Sequence, residues 1–191
     1  LDLAIISEQK LKENIEKVKK DIIASVRNKG VSDATLYTYV GYEYIKGANP
    51  TLLNPEHPPL GKYLIGLSIK IFNNENVVLL IFGIISLVTI FIIVLLSIKS
   101  YVSSSVAVCL TATHSLFIDQ LIHGPQLELF QLTFFLLMLL HLMSYEMKNK
   151  IHFLIESAFF LGLLLSVKTF ATHFILFLAW HAVLTLFSKR I

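Results

Sequence analysis

The chain has 191 residues, 55% of them hydrophobic and 15% charged, with a formal net charge of +3 and a mean hydropathy of +0.70. Soluble domains run about 45–50% apolar and about 25% charged, so an ordinary water-soluble globule and a disordered chain are both excluded. Cys109 is the only cysteine, so no internal disulfide forms, and no Cys/His pair stands at zinc spacing.

Leu1 to Ile6 is a short apolar stretch without an initiator Met, so the chain reads as processed or as cut from something longer. From Ser7, the residues Leu11, Ile15, Val18, Ile22 and Val26 recur at spacings of four and three. That pattern predicts one apolar face of an amphipathic helix, ending at Gly30. Glu8–Lys12, Glu13–Lys17 and Glu16–Lys20 support it as i,i+4 pairs. Between Glu8 and Lys29, seven bases oppose four acids, which equals the whole net charge. So small and acid-rich a patch is a poor nucleic-acid footprint, and headgroups of membrane lipids are its better partner.

Residues 31–58 crowd together Tyr37, Tyr39, Tyr42 and Tyr44, a residue type that favours the membrane–water boundary. Pro50, Pro55, Pro58 and Pro59 are then expected to break any regular element. Leu60–Phe72 reads as a helix of roughly 20 Å, short of the about 30 Å of hydrocarbon. With Lys62 and Lys70 inside it, it is expected to lie in the interface. Five apolar runs follow: Val77–Ile98, Val102–Phe117, Leu127–Tyr145, Ile151–Val167 and Phe170–Phe187. The fold expected is therefore all-α: a multi-spanning bundle over 77–191, preceded by an external region over 1–76 with amphipathic and interfacial helices.

Lys99, Lys148/Lys150 and Lys189/Arg190 follow the first, third and fifth runs, which makes their side cytoplasmic by the positive-inside rule. The turn from Asp119 to Gln126, the Lys168 turn and everything before Val77 then fall outside. The basic stretch after Ser7 also falls outside, against the rule, and a further span ending near Ile6 would account for that. Asp33, Glu56, His57, Lys62, His123, Glu128 and Lys168 are expected on this one face. His114, His141, His173 and His181 fall in apolar runs, where interhelical hydrogen bonding is their expected use. No Walker loop, GxGxxG, HExxH or GxSxG occurs, and no repeated halves suggest a transporter.

Four stretches carry a resemblance. NPEHPPLGKYLIGLSIKIF resembles the HPPLGK segment of the polyprenyl-phosphate-dependent GT-C type glycosyltransferases, among them the protein O-mannosyltransferases and aminoarabinose transferases. SDATLYTYVGYEYIKGANP is similar to their first external loop. HGPQLELFQLTFFLLMLL resembles the stretch where a basic residue precedes an acid that opens a span. FFLGLLLSVKTFATHFILF resembles the segment whose Lys closes a span. The resemblance covers about Ser32 to Trp180, the N-terminal part of a usually much longer protein.

The resemblance implies an integral-membrane glycosyltransferase of the plasma membrane, or of the endoplasmic reticulum in a eukaryote, active on the external or lumenal face. Its donor would be a sugar, mannose being one candidate, on a polyprenyl phosphate, and its acceptor a protein or lipid. It implies Asp33 as general base, and His57, Lys62, His123, Glu128 and Lys168 as substrate and phosphate contacts. It leaves room for a divalent metal, with no cofactor otherwise implied. The chain departs from many relatives at Ala34, where they carry Glu, at His123, where they carry Arg, and at Glu128, where they carry Asp. Plainer uses stand beside each role: an N-cap for Asp33, snorkelling for Lys62, bracing of the Pro58–Pro59 turn for His57, and anchoring of span ends for Glu128 and Lys168. A non-catalytic membrane scaffold with the same fold is the alternative function.

Overall fold

The structure, a computed structural model, describes residues 32–168 together with positions 13, 16, 17 and 20, which are helical and exposed. The remainder of the Ser7–Lys29 helix and the run Phe170–Phe187 lie outside the described residues. Over residues 32–168 there are eight helices, and no strand occurs among the described residues. They are α1 (Asp33–Ile45), α2 (Pro50–Leu53), α3 (Leu60–Phe72), α4 (Val77–Ile98), α5 (Tyr101–Thr113), α6 (Ser115–Ile122), α7 (Glu128–Lys148) and α8 (Ile151–Leu165).

Helices α4 and α7, of 22 and 21 residues, are long and apolar enough to cross a membrane. They run in the same direction. Phe82 packs edge-on against Phe130 and Phe134 at 4.8 and 5.5 Å between ring centroids. One turn further along, the Ser86 hydroxyl meets the Thr133 hydroxyl at 2.7 Å. Helix α8 returns antiparallel to α7, with the Ser157 hydroxyl donating to the Met138 carbonyl and His141 Nε2 lying 3.4 Å from Glu156. His141 thus approaches the neighbouring helix, while its hydrogen bond, through Nδ1, is to the Leu137 carbonyl of its own helix rather than the interhelical bond expected. The turns after α4 and α7 close through left-handed Lys99 and Asn149, so Lys99, Lys148 and Lys150 share one end of the bundle.

The run Val102–Phe117 is not one helix. It breaks at His114, whose extended backbone leaves α5 and whose Nδ1 accepts from the Leu116 N–H to open α6. The two pieces meet at 56°. His114 therefore sits at a bend and caps a helix, rather than pairing within a span. The expected turn from Asp119 to Gln126 also shrinks, because Asp119 and Gln120 belong to α6. Pro50 does not break structure either. It occupies the first position of α2, where its missing N–H has no helical partner to lose, and Asn49 caps that turn through Oδ1.

Helix α3 has the expected bounds. It crosses α1 at two glycines: a Cβ on Gly41 would stand 2.5 Å from the Lys62 carbonyl oxygen, and one on Gly66 would overlap the Gly41 carbonyl. The contact is backbone on backbone. Ser68 ties α3 to α4, donating to the Asn74 carbonyl at 2.7 Å and accepting from the Val78 N–H at 3.1 Å.

Candidate functional site at the convergence of four helix ends

At the end of the bundle opposite Lys99, four helix termini meet. The start of α3 is joined to the end of α8 by the Leu60 N–H, which donates to the Ser166 carbonyl at 3.1 Å. Gly61 lies so close to Leu127 and Val167 that a Cβ there would stand 2.6 Å from the Leu127 side chain. Gly124, left-handed at φ 91°, brings the turn before α7 against Ala34 at the start of α1. Asp33, the HPPLGK turn, Glu128 and Lys168 are thereby drawn to one place.

Ser32 caps α1 through its hydroxyl, leaving Asp33 at the first helical position and exposed. The cap is therefore Ser32, and Asp33 has no such duty. Tyr37, one turn further along the same face, is buried. Burial pushes its hydroxyl well above the ordinary range, and the charges of Asp33, Glu128 and Glu56 add to the shift. It stays protonated.

Lys62 is fully buried. Its ammonium donates to the Asn54 carbonyl at 3.1 Å, to the His57 carbonyl at 3.0 Å and to the Asn54 side-chain oxygen. An ammonium has three protons, and these acceptors take all of them. Lys62 therefore holds the loop 54–57 in place instead of snorkelling to headgroups. The Tyr37 ring lies 5.9 Å from its nitrogen, and burial lowers its pKa. His57 is pushed down by burial and by Lys168 and Lys62 nearby, against the opposite pull of Glu56 and Asp33. Its ring is neutral near pH 7, and its buried Nδ1 has no hydrogen-bond partner.

Glu128 opens α7 and Lys168 follows the end of α8. Each sits where the helix dipole favours its charge, and the antiparallel packing of α7 and α8 brings those ends side by side. Lys168 Nζ lies 2.5 Å from Glu128 Oε1, while Oε2 is buried without a partner. His123 is different. It pairs with Asp119 at 2.6 Å on an exposed surface, both side chains more than half accessible. Among the described residues, no three His, Cys, Asp or Glu side chains form a metal-holding group.

Glu128 also lines a groove of about 590 Å³ between α5, α6 and the start of α7, walled mainly by Leu110, Leu116, Phe117, Leu129 and Leu132. The arrangement is chemically two-sided: a mostly apolar trough shares Glu128 with a cluster of carboxylates, ammonium groups and a neutral imidazole. Three of its members were not singled out from sequence. Tyr37 is four residues after Asp33, a spacing that marks a shared helix face. Asn54 precedes Pro55 as a turn signal, but its grip on Lys62 is tertiary. Gln120, on the groove wall, was hidden inside an expected turn.

No curated protein and no solved structure matches this chain. A family model does, that of the dolichyl-phosphate-mannose-protein mannosyltransferases, over residues 56–191. The match begins at the HPPLGK turn and takes in α3 to α8, so the groove, Lys62, Glu128 and Lys168 fall within it and Asp33 precedes it. The chain thus belongs to the dolichyl-phosphate-mannose-protein mannosyltransferase family, integral-membrane glycosyltransferases of the GT-C type.

Proposed function

We propose that the protein transfers a sugar, mannose in keeping with the family's description, from a polyprenyl phosphate to a hydroxyl of a protein or lipid acceptor on the external or lumenal face. The observation that carries this reading is a mostly apolar groove with Glu128 in its lining, the residue that pairs with Lys168 at the four converging helix ends. A long isoprenoid tail fits such a trough, and its phosphate and sugar then stand among the charged groups. Asp33, exposed at the edge of the cluster, takes the acceptor's proton as the oxygen attacks the anomeric carbon. The bond from that carbon to the phosphate oxygen breaks, and the phosphate leaves with the electron pair. Lys168 and Lys62 supply positive potential to the leaving group. His57 contributes a neutral hydrogen-bonding ring, and His123 stands at the solvent edge for the acceptor side.

Asp33→Asn in the full-length protein should slow transfer from a polyprenyl-phosphate sugar by roughly 10²–10⁴, while donor affinity stays near wild type. Transfer at the wild-type rate would overturn the assignment. One observation favours a second reading, a scaffold that keeps the family fold without transfer. Both cations suited to phosphate are engaged within the protein, Lys62 by Asn54 and His57, and Lys168 by Glu128. A wild-type protein that binds no lipid-phosphate sugar would make that reading lead.

A further inference from the structure

The groove beside Glu128 is not uniformly apolar. Gln120 of α6 and Glu128 of α7 both line it, and each buries an oxygen that has no hydrogen-bond partner, Gln120 Oε1 and Glu128 Oε2. Turning the Gln120 amide over replaces that oxygen with an amide nitrogen equally in need of a partner. His114 lines the same wall. Its Nδ1 accepts from the Leu116 N–H at 3.3 Å, which leaves the proton of the neutral ring on Nε2 as a donor.

A buried acceptor left unmatched costs about 1–3 kcal/mol. Two of them on residues that line one mostly apolar trough mark a place that hydrogen-bond donors complete. The 56° bend at His114 creates it, because α6 turns away from the line of α5 and sets Gln120 on the groove wall. Lys168 already neutralises Glu128 through Oε1. The pair thus suits uncharged donors, such as hydroxyl groups, better than a second cation.

We infer that this end of the groove is a hydroxyl-reading subsite, in which Gln120, with Glu128, accepts hydrogen bonds from the sugar hydroxyls of a long-chain lipid-phosphate sugar. Gln120 is then a specificity-determining residue and takes no part in bond breaking. The inference rests on the glycosyltransferase reading above, which names the lipid-phosphate sugar, and adds which residues discriminate among its head groups.

Equilibrium binding of radiolabelled polyprenyl-phosphate mannose and its monodeoxy analogues to the full chain in nanodiscs tests it. Wild type should bind at least one monodeoxy analogue about 5- to 10-fold more weakly than the parent, as expected for one neutral hydrogen bond. Gln120→Met, nearly the same size without a hydrogen-bonding group, should lose that discrimination. Gln120→Glu, which keeps an oxygen acceptor, should retain it. If wild type is indifferent to every hydroxyl, or Gln120→Met discriminates as wild type does, the inference falls while the glycosyltransferase reading stands. If Gln120→Met binds nothing, loss of discrimination in Gln120→Glu overturns the inference and its retention supports it. If wild type binds none of the lipids, the glycosyltransferase reading falls and this inference with it.

Discussion

The two ends of the bundle use the same kinds of residue in opposite ways. At one end, Lys99 and Asn149 close tight turns in the left-handed conformation, and Lys148, Lys150 and Met147 are exposed. Their interactions are local: Lys148 lies over the Phe153 ring across a two-residue turn at 4.9 Å. At the other end, Lys62 is buried among acceptors from a preceding loop, and Lys168 reaches a residue forty positions earlier. A lysine at a helix end is thus no sign of a site by itself. What separates the ends is whether the groups are desolvated and held by partners distant in sequence. Groups held so are costly to disturb, because losing one partner leaves the other uncompensated.

The largest effect that can break this contrast is expected at the α1–α3 crossing. Gly66→Ala sets a methyl group against the Gly41 backbone, where no side chain can yield. Overpacking of this kind costs about 1–3 kcal/mol or more, and it shifts Asp33 relative to the HPPLGK turn. Thermal stability in detergent and sugar transfer should both fall sharply. Gly162→Ala on α8 serves as control, since its Cβ would meet nothing within 4 Å, and it should leave both unchanged or slightly improved through helix propensity. Equal behaviour of the two variants would remove the argument for a backbone-tight crossing.

A smaller effect should come from the Lys168–Glu128 pair. Lys168→Met leaves the Glu128 carboxylate without its counter-charge, and Glu128→Gln leaves Lys168 without its partner. Each should lower stability and transfer. Because both act through one contact, the double variant should be less damaged than the sum, by about 0.5–3 kcal/mol of coupling. Additive losses in thermal unfolding would mean that the pair does not join α7 to α8.

The smallest and most specific effect is in pH. His57 has its pKa held below the ordinary value of about 6.5, by burial first and then by Lys168 and Lys62, with Glu56 and Asp33 pulling the other way. The unfolded chain therefore takes up the proton at a higher pH than the folded one. Stability is kept above the ordinary pKa and lost as pH falls through the window beneath it. Wild type should lose thermal stability relative to His57→Gln as pH falls below about 6.5, the difference vanishing near neutrality. Parallel curves across that range would show that the imidazole is not desolvated.

Much of the fold was legible in advance because bilayer-spanning signals are local. The apolar runs at 77–98 and 127–145 became α4 and α7, Leu60–Phe72 became α3 with its expected bounds, and the lysine turns fell where hydropathy drops. The reading failed where a single side chain overrode composition. Val102–Phe117 is apolar enough for a span, yet His114 supplies a cap that ends one helix and starts another at an angle. Pro50 looked like a breaker and became a helix start, because the first turn tolerates proline. The site was legible as a set of positions on one face, since parity of the runs assigns each turn to an end. The bonding within it was not. Nothing in the order of residues said that Lys62 would be taken by Asn54 and His57, or that Tyr37 would lie buried beside it.

Composition and periodicity by themselves determined that this is a helical membrane protein, where its long helices lie and which turns share an end. Those properties follow from the transfer of each segment out of water, which depends on that segment alone. Tertiary structure decided the rest: that Gly41 and Gly66 let two backbones touch, that antiparallel α7 and α8 bring Glu128 to Lys168, and that the bend at His114 opens a groove with Gln120 on its wall. Such features depend on crossing geometry between elements far apart in the chain, where a hydrogen bond or a missing Cβ has meaning only once the partner is in place.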